Sequence, residues 1–474
     1  MVETPSRRHQ GMSMSDFEGL PPGRRFWSAF TIWLALTMAV LDGAIANVAL
    51  PTIARELSAA PAYAVWVVNG YQLAIVVSLL PLAALGEEIG YRRIFLTGVV
   101  AFTIASAACA LSHSLPMLIF TRVVQGLGAA GIMSVNGALL RFTYPHGQLG
   151  RGIGLNALVV SAAAALGPTI ASGILAVGPW EWLFGINTPI GAAAFLIGRQ
   201  ALPDSPRSGK FDMASTCLNV LTFGLGFTGV DALTRGGDTA LGVVELILAV
   251  AAGAGLVMRS NAQATPLVPI DLLRNKLFTL SVLTSIASFT AQMLASVTLP
   301  FYLQGALHRS QVDTGLLMTP WPVAAGLAAF FAGRLADRYS AAILSGIGLG
   351  LLAVGLFSIG LLPTQTTSLA IAGLMAACGF GFGFFQSPNN RTMLSTAPLL
   401  RSGAAGGMLA TARLTGQSIG ATLAAITFRF AANAEMVAFI VAGCFALAGV
   451  FASLSRLRVP ARPHDRPASD ATSH

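Results

Sequence analysis

Arg122 stands in the stretch Phe120-Thr121-Arg122-Val123-Val124-Gln125-Gly126, within a run from Leu115 to Leu140 that holds no other charge. A guanidinium stays protonated at any biological pH. At bilayer depth it costs at least about 2.5–3.5 kcal/mol on insertion scales, so it lines a polar path or pairs with an acid. Gln125, one position short of a full turn away, shares its face on a helix. Asp42 is the intramembrane acid of the first apolar run. A carboxylate in a low-dielectric site can bind and release a proton over an accessible range, which is the chemistry of proton coupling or of holding a cationic compound. Its structural alternative is a packing carboxylate bonded to Asn47 or to nearby backbone. Arg122 has one too, a buried ion pair holding helices together. Asp42 and Glu87 are both candidates for its partner.

A second group of residues suits movement more than charge. Gly154, Gly167, Pro168 and Gly173 share one apolar run, where proline removes a backbone donor and glycines permit close packing. Arg413 is the intramembrane cation of the closing stretch, and its alternative is to snorkel to the interface. Gln292 and Met293 with Phe289, and Phe384 and Gln386 with Phe380, Phe382 and Phe385, form aromatic, pliable surfaces suited to a permissive apolar pocket. Packing or lipid-facing phenylalanine is the commoner use of such residues. Glu245 sits near a helix end, where a peripheral role is expected; Asp231, Arg235 and Asp238 fall in an exposed turn.

The elements that must position these residues follow from composition. The 474 residues are 54% hydrophobic and 10% charged, with mean hydropathy +0.71. A soluble domain carries roughly 25% charged residues. The deficit excludes a soluble enzyme and points to an all-α polytopic membrane protein. The net charge of +9 is scattered through short loops. It suits retention of cytoplasmic loops rather than a nucleic-acid partner. Cys109, Cys217, Cys378 and Cys444 have neither disulfide nor metal spacing, and the six histidines form no cluster.

Apolar runs long enough to span a bilayer recur at 27–49, 64–85, 94–111, 116–140, 152–176, 183–199, 214–233, 240–258, 278–302, 313–333, 341–362, 367–387, 402–428 and 435–454. Fourteen spans put both tails on one side. That side then holds 22 of the Lys and Arg residues and the other side four, which places both termini in the cytoplasm. Leu85-Gly86-Glu87-Glu88-Ile89-Gly90-Tyr91-Arg92-Arg93 after the second run is echoed by Gly333-Arg334-Leu335-Ala336-Asp337-Arg338-Tyr339 after the tenth. Two six-helix halves would give this echo. The expected organisation is an N-terminal tail (1–26), a six-helix half (27–199), a linker with two extra helices (200–277), a second six-helix half (278–455) and a C-terminal tail (456–474).

These motifs resemble the major facilitator superfamily, specifically its fourteen-helix drug/proton antiporters, over about residues 27–455. Leu41-Asp42-Gly43-Ala44-Ile45-Ala46-Asn47-Val48-Ala49-Leu50-Pro51 is similar to the first-helix signature. Trp66-Val67-Val68-Asn69-Gly70-Tyr71 resembles the second-helix opening, and Arg122 to Gly126 the fourth-helix motif. Leu166-Gly167-Pro168 with Gly173 resembles the fifth-helix antiporter motif, and Trp180 to Gly191 the start of the sixth helix. The first cytoplasmic turn departs from the pattern: Ala83 takes the Gly position, Glu87 the acidic one, and Glu88 replaces a cation. The second turn, with Gly333, Asp337 and Arg338, is closer.

The resemblance implies a major facilitator fold in a cell inner or plasma membrane and export of amphipathic compounds by proton antiport. It implies proton coupling through Asp42, Arg122, Gln125 and Glu87, and gating through Gly126, Gly154, Gly167, Pro168, Gly173, Gly333, Asp337 and Arg338. Asn47, Gln292, Met293, Phe384, Gln386 and Arg413 are candidates for the substrate cavity. No cofactor is expected beyond the proton gradient, since no Gly-rich phosphate loop with Lys-Ser/Thr is present. The expected state is a monomer in lipid, not an enzyme. A same-fold exporter of one metabolite or lipid precursor is the alternative, and a receptor or membrane enzyme a remote one.

Overall fold

The computed structural model describes residues 19–145, 148–205, 211–234, 239–261, 263, 270–336, 338–363, 366–396 and 402–459. Those residues fold as helices α1 (Pro22–Glu56), α2 (Pro61–Ala64), α3 (Trp66–Ile89), α4 (Tyr91–Ala110), α5 (Leu115–Thr143) and α6 (Leu149–Val177). Next come α7 (Trp182–Gly185), α8 (Asn187–Ala201), α9 (Met213–Thr234) and α10 (Thr239–Asn261). The rest are α11 (Lys276–Phe301), α12 (Gln311–Met318), α13 (Pro320–Leu335), α14 (Ala341–Gly360), α15 (Ser368–Ser395), α16 (Ser402–Phe430) and α17 (Ala434–Ser455).

Each of the fourteen apolar runs falls on helix. Among the described residues, ten helical segments are long and apolar enough to cross a membrane. Two expected runs are each split in two, at Ile186 (α7 and α8) and at Thr319 before Pro320 (α12 and α13). Proline at the first position of α13 has no backbone N–H to continue the preceding ladder. The expected turn Leu85–Arg93 is mostly helix: Glu87 and Glu88 still belong to α3. The chain reverses at Gly90 alone, whose φ of +106° a side chain would resist. Local polar side chains start other helices. Ser114 accepts the Met117 amide at 3.4 Å, and Asn275 accepts that of Leu277 at 3.0 Å.

Helix pairing repeats. In the opening set, α1 packs on α6 and α8, α3 on α5, α4 on α5, and α4 on α8. In the closing set, α11 packs on α16 and α17, α13 on α15, α14 on α15, and α14 on α17, which is the same pattern in the same order. The hairpin α9–α10 leans on α3, where Asn219 Nδ2 donates to the Val77 carbonyl at 2.8 Å and Trp66 meets Phe227 edge-on at 5.2 Å.

The two sets meet along α1–α11, α3–α16 and α6–α12. Their polar links are Gln311 Nε2 to Thr52 Oγ1 and the hydroxyl pair Thr169–Thr319, each 2.6 Å. Both lie toward the end away from the chain termini. One hydrophobic cluster joins the sets there, from Ile45, Leu50 and Ile53 across to Val297, Leu303 and Leu317. At the termini end there are two clusters, one around Ile94, Leu139 and Leu202 that Leu414 of α16 joins, and another around Phe278, Met393 and Ala405. Close van der Waals packing and interhelical hydrogen bonds hold each core together, because lipid tails are as apolar as these side chains. In the closing set Arg456 adds a polar stitch, donating to Ser281 Oγ at 3.1 Å and Asn389 Oδ1 at 2.9 Å.

Candidate functional site

Arg122 and Asp42 form a buried ion pair, with side chains 0% and 1% exposed. Arg122 Nη1 donates to Asp42 Oδ2 and, at 2.5 Å, to Gln125 Oε1; Nε donates to the Val67 carbonyl at 2.9 Å. The other carboxylate oxygen accepts from Gln125 Nε2 and from Asn187 Nδ2, both at 2.9 Å. Gln125 Nε2 also donates to Ser106 Oγ at 2.7 Å. One cluster therefore ties α1, α3, α4, α5 and α8. The guanidinium lies over the Tyr71 ring, 4.1 Å from its centroid, and 5.4 Å from that of Phe184.

Local packing explains this placement. At Gly126 a Cβ would stand 2.5 Å from the Tyr71 carbonyl oxygen and 2.8 Å from Ala74 Cβ. Only glycine lets α5 approach α3 so closely. That approach sets Arg122, one turn earlier, against the Tyr71 ring. The Tyr71 hydroxyl donates to the Ala39 carbonyl at 2.9 Å, which fixes the ring against α1.

Such a pair is a poor stabiliser in itself, because desolvation offsets its attraction. A proton on Asp42 removes the charge that compensates Arg122 and turns an acceptor oxygen into a donor.

Of the two acids considered as partners, Asp42 meets Arg122 and Glu87 does not. Glu87 is exposed, roughly 24 Å along α3 from Tyr71 at 1.5 Å per residue. Its neighbour Glu88 accepts the Phe211 amide at 2.7 Å, so it holds the linker rather than replacing a cation functionally.

Gly167 abuts Ala44 of α1, 2.5 Å from where its Cβ would stand, and the Pro168 carbonyl and Ser172 lie against Gly315 of α12. Close packing does not extend to Gly173, which is exposed and where a Cβ would meet nothing within 4 Å. Gly333 lies in α13 against Ser387 Oγ of α15, and Arg338 is exposed in the turn. Asp337, Arg235 and Asp238 lie outside the described residues, as do the surroundings of Gly154 and the side chain of Asp231.

Between the sets lies a cavity of about 320 Å³. Asn47, Gln292, Met293, Gln386 and Arg413 line it; Phe384 does not. At 100° per residue, Phe382 and Phe384 point to opposite sides of α15. Phe382 faces the cavity, 5.2 Å from Phe289 and edge-on, while Phe384 stacks on exposed Phe380 at 5.6 Å. Arg413 does not snorkel to the interface; it lines the cavity one turn from Gln417.

Asp42 is absent from the cavity wall, while its neighbour Gly43 and Tyr71 form part of it. The ion pair thus sits behind Tyr71, and direct capture of a cationic compound by Asp42 does not fit this arrangement. Sequence reasoning missed Asn187, Ser106, Tyr71, Gln72 and Trp321. For Asn187 and Tyr71 a signal existed, since both fall within the motifs quoted above.

Comparison with known proteins places the chain among transporters. The family profile described as Major Facilitator Superfamily matches residues 32–421 and again 280–473. The uncharacterized transporter YebQ of Escherichia coli (strain K12) is 49% identical over 446 residues, covering 93% of this chain and 97% of that protein. The riboflavin transporter RibZ of Clostridioides difficile (strain 630) is 29% identical, covering 81% and 83%. The tetracenomycin C resistance and export protein of Streptomyces glaucescens is 30% identical, covering 84% and 75%.

Proposed function

This chain belongs to the major facilitator superfamily, and from that premise we propose that it is a proton-coupled exporter of amphipathic organic compounds. It spans a cell inner or plasma membrane fourteen times as a monomer, with both termini in the cytoplasm and two six-helix halves separated by the α9–α10 hairpin. The observation that carries the reading is the Asp42–Arg122 pair, buried one ring's thickness from the cavity.

The cycle runs as follows. With the halves joined at the outer end, the cavity takes up its compound from the cytoplasmic side. Rocking about the α1–α11, α3–α16 and α6–α12 contacts then exposes it outward. A proton from outside neutralises Asp42, releases Arg122 from its partner and shifts the balance between the two states. Deprotonation toward the cytoplasm restores the pair. The proton gradient drives the cycle.

Support for drug-like export comes from the aromatic and amide-lined cavity and from the tetracenomycin C export relative. A same-fold carrier of one metabolite is the second reading, favoured by the riboflavin transporter relative. Inverted vesicles energised with a pH gradient and challenged with a compound panel test both. Several unrelated compounds releasing protons supports broad export, one supports the narrow reading, and none overturns antiport.

A further inference from the structure

Building on the transport reading above, we infer that the cavity selects aromatic anions. Its charge is one-sided: Arg413 lines it, and no Asp or Glu does among the described lining residues. Asp42, the intramembrane acid of α1, is committed to Arg122, Gln125 and Asn187 behind Tyr71. Arg413 Nε is buried with no hydrogen-bond partner, and so are Asn47 Oδ1 and Gln72 Oε1 in the same wall.

A guanidinium presents a planar fork of donors that matches a carboxylate, and it never deprotonates in a protein. In a cavity with low-dielectric walls an unpaired cation favours an anionic guest and repels a cationic one. Phe289, Phe382 and Trp321 add aromatic lining suited to a flat ring system, and about 320 Å³ is within the range of small-molecule sites. The guest that satisfies all of this is a fused aromatic ring bearing a carboxylate toward Arg413 and an N–H or O–H toward Asn47 and Gln72.

Charge balance adds a consequence. If one proton enters for each monoanion that leaves, two positive charges move inward per cycle. An ammonium compound exchanged one for one with a proton moves none. Export of the anion therefore responds to membrane potential as well as to the pH gradient.

The test uses purified protein in proteoliposomes with an imposed pH gradient and three matched probes: 2-naphthoate, 2-naphthamide and 2-naphthylmethylammonium. Wild type should move naphthoate fastest, faster still under an inside-negative potential set with potassium and valinomycin. Arg413→Gln should cut naphthoate transport at least about tenfold and leave naphthamide within about threefold; Arg413→Lys should retain an intermediate rate. Thermal melting of each variant separates a folding defect from lost recognition. Faster transport of the ammonium probe by wild type, or unchanged naphthoate transport by a folded Arg413→Gln, overturns the inference. Proton release by other compounds without naphthoate transport overturns it while leaving antiport standing; no proton release by any compound removes both.

Discussion

The guanidinium of Arg122 lies 4.1 Å from the ring centroid of Tyr71, and Tyr71 is part of the cavity wall. One side chain thus stands between the buried charge pair and the space where a compound would sit. Tyr71→Phe keeps the ring and loses only the bond to Ala39, so transport should stay within about threefold of wild type. Tyr71→Ala removes the cover and a cation–π contact worth up to about 2 kcal/mol. It should let protons leak without compound, which a pH-sensitive dye in proteoliposomes reads directly.

The pair itself should behave as a unit in stability measurements. Asp42→Asn leaves Arg122 buried without its counter-charge and should cost about 3–5 kcal/mol. Combining it with Arg122→Gln should recover most of that loss, since no buried charge remains unpaired. Thermal unfolding of the two single variants and the double variant in detergent checks this. Additive losses would mean that the two residues act separately.

Gly126 and Gly173 make a contrast of the same residue type in two environments. A valine at 126 would press on the Tyr71 backbone and should destabilise by about 1–3 kcal/mol. An alanine at 173 meets nothing and should stay within about 0.5 kcal/mol of wild type. Melting temperatures of both variants, taken alongside transport rates, decide between packing and signalling roles for these motif glycines.

Much of the helical fold was legible in the sequence, because a bilayer demands apolar runs of fixed length. The fourteen runs, and Asp42, Arg122 and Gln125 as chemistry-bearing residues, needed nothing more. The partner of Arg122 was not legible: Asp42 and Glu87 both precede it in sequence, and only the packing of α1, α3 and α5 separates them. Phe384 was misplaced because residues two apart on a helix look equivalent in a Phe-Gly repeat while facing opposite ways. Asn187, at the start of α8, stands in a quoted motif, but its role depends on how α8 packs against α1. The helical break at Thr319, by contrast, could have been read from Pro320.

The linker carries a local switch of its own. Asp212 caps α9, accepting the amides of Ala214 at 3.1 Å and Ser215 at 3.2 Å, and it pairs with Arg259 at 2.9 and 3.0 Å. The hydrogen bonds from Arg259, then those from Ser215 and Gln263, hold its carboxyl well below the usual carboxylate range. Because the folded value is depressed, this stabilisation is complete above about pH 4 and fades as pH falls further. Asp212→Ala should expose the first turn of α9 to hydrogen exchange about fivefold faster at neutral pH, a cap loss of about 1 kcal/mol. That difference should shrink in acid.

Substrate-triggered proton movement, compared between wild type and Asp42→Asn in sealed proteoliposomes, bears most directly on the buried pair as the coupling site. Wild type should release protons in step with the transported compound, while a folded Asp42→Asn should release none, whatever residual compound movement it retains. Normal proton release by Asp42→Asn, or none by wild type with any compound in the panel, would contradict the account.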